Sequence, residues 1–376
     1  MGHAMKKVRV GICHRCVTVG DAIGNDIAGS YAVLERMGLI PEIVCQFPNN
    51  QIKSSFRVNA DINPDNVRDA YDLLIYHHSI EWVDGESIIS RFAGPVVIKY
   101  HNITPEVFFV KYSPMCADAC RLGREQTSRL VRSNNVVLWQ CDSAYNAQCL
   151  AEAGQGMSAS VIVPPFMRTD GMSLLDHRAV YDPGRPIDLL FVGRRAPNKG
   201  HRHLLRMMAS FIDFGWPDVR LRIVGADDGE LAPYSKELFA LSKELGVAAN
   251  VEWLSQIGNQ ELDDLFRSSH VYVNASEHEG FCVPIIEAQA IGLPVVTVDA
   301  AALRETTGAN QVVMPVPRFD EDFDLMAGLV HEVFVNKALR QSLVRHGFRN
   351  AFERFSRETI ENLFVDTLEP ILRVLS

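Results

Sequence analysis

Glu279 and Glu287 flank an apolar turn in the stretch EHEGFCVPIIE, which lies between two predicted buried strands. Pro284 suits the first turn of a helix and Gly292 suits its end, so the pattern predicts a helix over residues 283–291. Its amino end would present backbone N–H groups to an anion. The residues concerned are Gly280, Phe281, Cys282 and Val283. A neighbouring carboxylate can accept hydrogen bonds from vicinal hydroxyls, so this stretch predicts a site for a phosphorylated, hydroxylated ligand.

A second anion site is predicted in FVGRRAPNKGH, where a strand ends and an amphipathic helix begins. Gly193 closes the strand, and Arg194 and Lys199 add positive charge beside the N–H groups of the turn. The simpler alternatives are a solvated basic loop here and, for Glu279 and Glu287, exposed acids favoured at a helix start. Together the two stretches favour a ligand with a diphosphate at its middle and hydroxylated rings at both ends, which is the shape of a nucleotide sugar.

The first half of the chain offers its own candidates. His101 follows the apolar run PVVIKY, so it lies at the carboxyl end of a predicted strand. There it could hydrogen-bond a sugar hydroxyl or stabilise charge at a reacting centre, and a structural histidine is the alternative. In the loop VTVGDAIGND, Gly20 and Gly24 allow close approach of backbone to a ligand. Asp26 of the same stretch is assigned to a cap of the helix that follows.

Strand and helix patterns alternate along the chain on both sides of the Pro- and Gly-rich stretch YDPGRP. Near-continuous apolar strands covered by helices are typical of doubly wound parallel sheets. We therefore expect an α/β protein with two Rossmann-like domains, residues 1–165 and 166–355, that face a central cleft. The terminal helical segment, residues 356–376, is expected to pack back on the first domain.

The composition of the chain argues against nucleic acid as a partner and against a membrane-spanning segment. The 376 residues include 37 basic and 46 acidic side chains, so the net charge of −9 offers no whole-molecule attraction for nucleic acid. The chain contains no long apolar run of membrane-spanning length, and the amino terminus lacks the apolar region of a signal peptide. The expected location is the cytoplasm.

Two patterns suggest a metal site and carry little weight. Cys13-x-x-Cys16 could combine with Cys116 and Cys120, but Cys13 closes a strand while Cys116 lies in a distant loop or helix, so unpaired thiols are favoured. The stretch RFDEDFD carries three acids before a helix, where acids are favoured without a metal. They are Asp320, Asp322 and Asp324. No metal site is predicted.

The segment 111–132 is locally basic. Its basic residues are Lys111, Arg121, Arg124, Arg129 and Arg132. A solvated helix face is the favoured interpretation. The alternative is peripheral contact with the cytoplasmic membrane face or with a lipid-linked acceptor.

The motifs FVGRRAPNKGH and SEHEGFCVPIIEAQAIGLPVV resemble the paired motifs of family 4 glycosyltransferases, which are retaining enzymes with the GT-B fold. GDAIGND, YHHS, YHNITP and DSAYN resemble the amino-terminal halves of members that build bacterial surface polysaccharides. The likeness covers nearly the whole chain. In one place this chain departs from the usual form, because Cys282 and Val283 stand where glycine and leucine are common, so the contact with the donor sugar is expected to differ.

The resemblance implies a role for each candidate. Arg194 and Lys199 would bind the diphosphate of the donor, and Glu287 would bind the ribose of its nucleoside. Glu279 would hold the transferred sugar near the reaction centre, and His101 would reach that sugar from the other domain. The N–H groups after Glu279 would hold the sugar and the distal phosphate. No metal or other cofactor is implied.

The implied function is transfer of a hexose from a nucleotide diphosphate sugar to a growing glycan or lipid-linked glycan, with retention of anomeric configuration. The first domain would bind the acceptor and the second the donor, for which GDP-mannose is the first hypothesis. Two alternatives stay open. One is a GT-B sugar-binding protein without turnover, and the other is a disaccharide phosphorylase of the same fold that uses inorganic phosphate.

Overall fold

A computed structural model of the chain describes residues 7–18, 20–154, 159–169, 172–173, 179, 181 and 186–375. The described residues group into two compact units. Unit 1 comprises those within 1–105, 118–168 and 357–376, and unit 2 those within 106–117 and 169–356. The division differs from the expected one at residues 106–117, which group with unit 2.

Unit 1 is built on a parallel sheet. The strands up to residue 162 are β1 (Arg9–Cys13), β2 (Cys16–Val17), β3 (Ile40–Val44), β4 (Phe47–Pro48), β5 (Val58–Asn59), β6 (Leu73–His78), β7 (Val96–Tyr100), β8 (Val136–Cys141) and β9 (Ala159–Ile162). Among the described residues, seven of them form one sheet in the order β5-β3-β1-β6-β7-β8-β9, and β2 pairs with β4 in a short ribbon. The helices of this part are α1 (Ala22–Arg36), α2 (Asn50–Ser55), α3 (Pro64–Arg68), α4 (Val83–Arg91), α5 (Pro114–Leu130) and α6 (Ala144–Glu152).

Unit 2 repeats the plan. Its strands are β10 (Ile187–Val192), β11 (Val219–Val224), β12 (Val251–Leu254), β13 (Val271–Asn274), β14 (Val295–Val298) and β15 (Val312–Met314). They form a six-stranded parallel sheet in the order β12-β11-β10-β13-β14-β15 over the part of the chain that is described. Its helices are α7 (His201–Asp213), α8 (Ala232–Glu244), α9 (Asn259–Ser268), α10 (Val283–Ala290), α11 (Leu303–Thr307), α12 (Asp320–Val335) and α13 (Lys337–Phe355).

The strand orders explain where side chains can meet a ligand. In each sheet the first strand lies beside the fourth, β1 beside β6 and β10 beside β13, so the chain turns in opposite directions on the two sides of that pair. Ligands of doubly wound sheets bind at the carboxyl ends of these two strands. The central strands are buried on both faces, as parallel sheets require. The expected α/β fold with two Rossmann-like sheets is confirmed.

The last helix, α14 (Arg357–Leu375), groups with unit 1 and packs against α1. Arg36 Nη2 lies 2.6 Å from Glu361 Oε1, and Gln140 donates to the hydroxyl of Thr367 at 2.8 Å. Burial of Phe364 supplies the apolar part of this contact. No helix of the described chain is both long enough and apolar enough to cross a membrane.

Candidate donor site and histidine cluster

Lys199 and Glu279 meet at the carboxyl ends of β10 and β13. The ammonium Nζ of Lys199 donates to both carboxylate oxygens of Glu279, each at 2.7 Å. Their side chains are 19% and 10% exposed, so the pair is shielded from bulk water but still reaches solvent. Because β10 and β13 form the switch point of the unit 2 sheet, this ion pair lies where such sheets bind ligands.

Backbone contacts join the two loops that carry the pair. The carbonyl of Asn198 accepts from the N–H of Glu277 at 2.8 Å, and the side-chain amide of Asn198 donates to the carbonyl of His278 at 3.1 Å. Gly200 has φ +66°, and a Cβ there would lie 1.8 Å from the carbonyl oxygen of Ala275. Glycine is therefore required for this close approach of the two loops.

Two helices point uncapped amino ends at these loops. α7 begins after Gly200, α10 begins after Cys282, and in neither helix does the N-cap side chain accept a hydrogen bond from the first turn. The predicted helix over 283–291 is thus present as Val283–Ala290, with Pro284 in its first turn. Free N–H groups at helix amino ends favour an anionic ligand.

Cys282 adopts the left-handed conformation, with φ +82°, at the position where the related motif usually has glycine. The thiol of Cys282 is buried and accepts from the side-chain amide of Asn274 at 3.2 Å. Burial raises the pKa of this thiol well above its usual value, the charges of Glu279 and Glu287 act in the same direction, and Lys199 opposes them. The charges of three predicted ligand residues, Glu279, Glu287 and Lys199, therefore act on the Cys282 side chain.

The other predicted donor residues belong to the same unit. Arg194 leaves 52% of its side chain exposed, and its guanidinium lies 3.6 Å from Asp228 Oδ2. Gly193 donates its N–H to the carbonyl of Val224 at 2.8 Å, which ties the turn to β11. Glu287 lies in the second turn of α10 and is buried, so it is no exposed helix-start acid.

The remaining predicted N–H donors show how the loop is held. The carbonyl of Phe281 accepts from the Thr306 hydroxyl at 2.6 Å, and the Phe281 ring packs edge-on against Phe355 at 5.2 Å. Gly280 and Val283 flank this fixed residue and are partly exposed. Contacts with α11 and α13 therefore fix the loop that carries Phe281.

In unit 1, His101 belongs to a buried polar cluster that sequence reasoning missed. His101 Nδ1 lies 2.8 Å from Asp142 Oδ2, and His101 Nε2 lies 2.9 Å from His77 Nδ1. The ammonium of Lys99 lies 2.9 Å from Asp142 Oδ1. Asp26 Oδ2 is 3.6 Å from His77 Nδ1 and 3.7 Å from His101 Nε2. Polar residues at three neighbouring strand ends, in YHH, KYH and CDS, were the available signal.

Electrostatics in the cluster follow from burial. Burial lowers the pKa of His77 well below its usual value, and the neighbouring His101, His14 and Lys99 add to the effect. Burial also raises the pKa of Asp26, which Lys99 and His101 partly offset. The pKa of Lys99 is raised because the attraction of Asp142 and Asp26 outweighs burial.

Asp26 does not cap the first helix, contrary to expectation. Asp21 is the N-cap and accepts from the N–H of Gly24 at 2.6 Å, while Asp26 lies one turn further on and is buried. Gly24 is therefore inside α1, and a Cβ there would lie 1.7 Å from the carbonyl oxygen of Thr18. Packing within the unit, and not the expected approach of a ligand, accounts for glycine at position 24. Gly20 is in the loop, with φ +95° and open space around it.

Among the described residues, one group brings at least three potential metal-ligand atoms within 4.8 Å of one another, and it is Asp26, His77 and His101. Cys13 is buried and Cys16 exposed, and both are free thiols. The carboxylate of Asp322 accepts from two backbone N–H groups at the start of α12, which lowers its pKa. The acids of RFDEDFD therefore sit at a helix start.

The basic segment 111–132 is partly neutralised by carboxylates. Lys111 Nζ lies 2.5 Å from Glu237 Oε2 within unit 2. In unit 1 the pairs are Arg121 with Asp118 and Glu125, and Arg129 with Glu86. These pairs reduce the positive charge that the segment offers to an anionic surface.

The chain is similar to known glycosyltransferases in sequence and in fold. Residues 176–344 match the family model described as glycosyl transferases group 1. The chain is 28% identical over 352 residues to a D-inositol 3-phosphate glycosyltransferase of Saccharomonospora viridis, which covers 89% of this chain and 77% of the relative. A second protein of that name, from Kribbella flavida, is 25% identical over 362 residues, with 91% and 80% covered.

The chain is a glycosyltransferase, and it uses a nucleotide-sugar donor and an acceptor. Its fold is GT-B. The structure of Anabaena Alr3699/HepE, in complex with UDP and glucose, superposes with a TM-score of 0.76 at 16% identity and covers 96% of this chain and 100% of that one. WaaG, a glycosyltransferase involved in lipopolysaccharide biosynthesis, superposes at 0.72 with 13% identity, covering 95% and 99%.

Proposed function

We propose that this glycosyltransferase moves a hexose from a nucleoside diphosphate sugar to a hydroxyl of a glycan or lipid-linked glycan, with retention of anomeric configuration and without a metal. The observation that carries the proposal is the Lys199–Glu279 pair at the switch point of unit 2, between two uncapped helix ends. A cation beside helix ends that lack a side-chain cap suits the diphosphate, and the carboxylate suits a sugar hydroxyl.

Lys199 changes partner in the proposed complex. In the structure both oxygens of Glu279 neutralise its ammonium. A diphosphate would take over that positive charge, and Glu279 would then accept hydrogen bonds from hydroxyls of the transferred sugar. Arg194, half exposed, would bind the same diphosphate, and the buried Glu287 would accept from the ribose hydroxyls.

The proposed chemical step is an exchange at the anomeric carbon. The bond from that carbon to the distal phosphate oxygen breaks, and the nucleoside diphosphate leaves with the electron pair. The acceptor hydroxyl oxygen bonds to the same face of the carbon, and its proton passes to the departing phosphate oxygen. Lys199, Arg194 and the helix ends stabilise the charge that develops on the leaving group, which is the role a metal plays elsewhere.

Donor and acceptor are tested in a defined order. GDP-mannose is the first donor, and UDP-glucose is the second because HepE was solved with UDP and glucose. For the acceptor, a lipid-linked glycan comes first. A phosphorylated polyol such as D-inositol 3-phosphate comes second because the sequence relatives bear that name.

The decisive assay follows sugar transfer in EDTA and reads the anomeric configuration of the product by NMR. Transfer with retention, lost in Glu279→Gln while nucleotide still binds, supports the proposal. Saturable nucleotide binding without transfer or donor hydrolysis would favour a sugar-binding protein. Cleavage of a glycan that requires inorganic phosphate and no nucleotide would favour a disaccharide phosphorylase.

A further inference from the structure

Asp142 links the functional histidine of unit 1 to a buried lysine. One oxygen of Asp142 is 2.8 Å from His101 Nδ1 and the other is 2.9 Å from the Lys99 ammonium. Lys99 also donates to the carbonyl oxygen of Val163, after β9. Lys99 and Asp142 are 2% and 3% exposed, so neither charge is satisfied by water. Burying two charges is costly unless they pair and make further hydrogen bonds, and here each has a second partner.

The proton on His101 Nδ1 follows from the hydrogen-bond chemistry. Burial opposes ionisation of Asp142, but His101 and Lys99 outweigh burial and lower its pKa. An ionised carboxylate can only accept, so the contact at 2.8 Å requires that Nδ1 carry a proton and donate. The hydrogen bond of one ring nitrogen fixes the tautomer of a histidine. Because Nδ1 donates to Asp142, Nε2 is the nitrogen left to contact another group.

The contacts of the second ring nitrogen, Nε2, are weaker than those of Nδ1. Nε2 of His101 lies 2.9 Å from Nδ1 of His77, and Asp26 Oδ2 lies 3.7 Å away without a hydrogen-bond partner in the described residues. Asp26 is itself fixed, because its other oxygen accepts from the N–H of Phe166 at 2.8 Å. A contact between two ring nitrogens is weaker than a charge-assisted bond to a carboxylate. Nε2 is thus the nitrogen that can exchange its partner for a substrate hydroxyl.

We propose that Asp142 and Lys99 are a positioning pair that holds His101 as the Nδ1-protonated ring, with Nε2 as the nitrogen that contacts the transferred sugar. This rests on the proposed role of His101 in hexose transfer. The pair does not touch substrate. It fixes the orientation and the tautomer of the ring that does. Lys99 lies on β7, two residues before His101, and Asp142 directly follows the neighbouring strand β8.

The test must separate positioning from folding. Asp142→Asn alone would leave the buried Lys99 without its ion-pair partner, and breaking a buried pair in this way strongly destabilises proteins. The double variant Lys99→Met/Asp142→Leu removes both charges, and such replacement of a buried pair by apolar residues is often tolerated. A matched control, Arg91→Met/Asp65→Leu, removes an exposed pair of unit 1 whose atoms lie 3.2 Å apart.

Nitrogen-15 NMR of the histidine rings reads the tautomer directly, with His101→Asn to identify the signals. Wild type and control are expected to show a proton fixed on Nδ1 of His101, and the double variant a mixture of tautomers. An Nδ1 that lacks its proton in wild type, or a double variant with the wild-type tautomer, overturns the proposal.

Steady-state transfer gives the second readout. In the double variant we expect kcat to fall between about tenfold and hundredfold, as for other partners that orient a functional ring, while the nucleotide affinity stays unchanged. An unchanged kcat in the double variant contradicts positioning if His101→Asn is inactive. If His101→Asn keeps full kcat while the wild-type protein shows the fixed His101 tautomer, the proposed role of His101 in transfer fails and the proposed donor site of unit 2 is unaffected.

Discussion

The ammonium of Lys199 lies 2.7 Å from both oxygens of Glu279, although eighty residues separate them in the chain. The two charges neutralise each other at the switch point of the unit 2 sheet. Removing either partner therefore does two things. It deletes a ligand contact and leaves the other charge without a counter-ion.

Lys199→Met is expected to weaken nucleoside diphosphate binding by about 1.5–3 kcal/mol, the range for hydrogen bonds to charged groups. Isothermal titration calorimetry measures this, with Lys243→Met as the control because Lys243 is an exposed lysine of α8 in the same unit. Equal affinity of wild type and Lys199→Met would remove Lys199 from the donor site.

Arg194→Ala is expected to weaken the same binding by about 1.5 kcal/mol, the lower end of that range, because half of its side chain stays in water. The loss should shrink as salt concentration rises, since exposed charges are screened. Titrations at low and high ionic strength test this. A loss independent of salt, or no loss at all, contradicts direct contact between Arg194 and the diphosphate.

Position 282 should prefer glycine to alanine. Cys282 has φ +82°, a conformation that costs residues with a side chain about 1–2 kcal/mol. Cys282→Gly and Cys282→Ala both lose the contact of the thiol with Asn274, so comparing the two isolates the backbone cost. We expect the glycine variant to unfold at a higher urea concentration, and the reverse order would show that the backbone is not strained there.

His201 should make unit 2 sensitive to acid. Burial lowers its pKa from 6.5 to about 3, and Lys199 adds to the effect. Between these values the unfolded chain binds a proton that the folded chain does not, so stability is retained above about pH 6.5 and falls as the pH drops towards 3. The slope per such histidine is about 1.4 kcal/mol per pH unit.

Urea unfolding at a series of pH values, followed by tryptophan fluorescence, measures this slope. In His201→Gln the contribution of this ring is absent, so the midpoint should fall less steeply with acid than in wild type. Parallel pH profiles of the two proteins would show that His201 carries no such linkage.

Much of the fold could be predicted because strands and helices have clear local patterns. The β-branched runs before Cys13 and Gly193 are strands, and the helix carrying Leu204, Leu205, Met208 and Phe211 is α7. The positions of Lys199 and Glu279 at strand ends followed from the same patterns. Their direct contact could not, because it depends on the pairing of β10 with β13.

The cluster around His101 was beyond sequence reasoning for a physical reason. Asp26 lies on α1, while Asp142 follows β8, and only the sheet order brings both to one ring. Asp26 was assigned to a helix cap because caps are local and aspartate is a good one, yet Asp21 competes for the same role five residues earlier. Whether an aspartate is buried depends on the tertiary fold and cannot be predicted from the residue type alone.

Contacts of Tyr112 explain why residues 106–117 group with unit 2. Glu237 lies 3.1 Å from the hydroxyl of Tyr112, which contacts Arg202 as well, and the ring of Tyr112 packs edge-on against Tyr234. The composition of this segment shows no break, so the expected boundary followed the linker near residue 165 instead.

The most direct test of the account is a calorimetric titration of the protein with GDP, UDP, ADP, CDP and dTDP, first in EDTA and then with magnesium. We predict tight binding of one nucleoside diphosphate in EDTA, with little change on adding magnesium, because Lys199, Arg194 and two helix ends supply the positive charge. Binding of none of the five, or binding that requires magnesium, would contradict the proposed donor site.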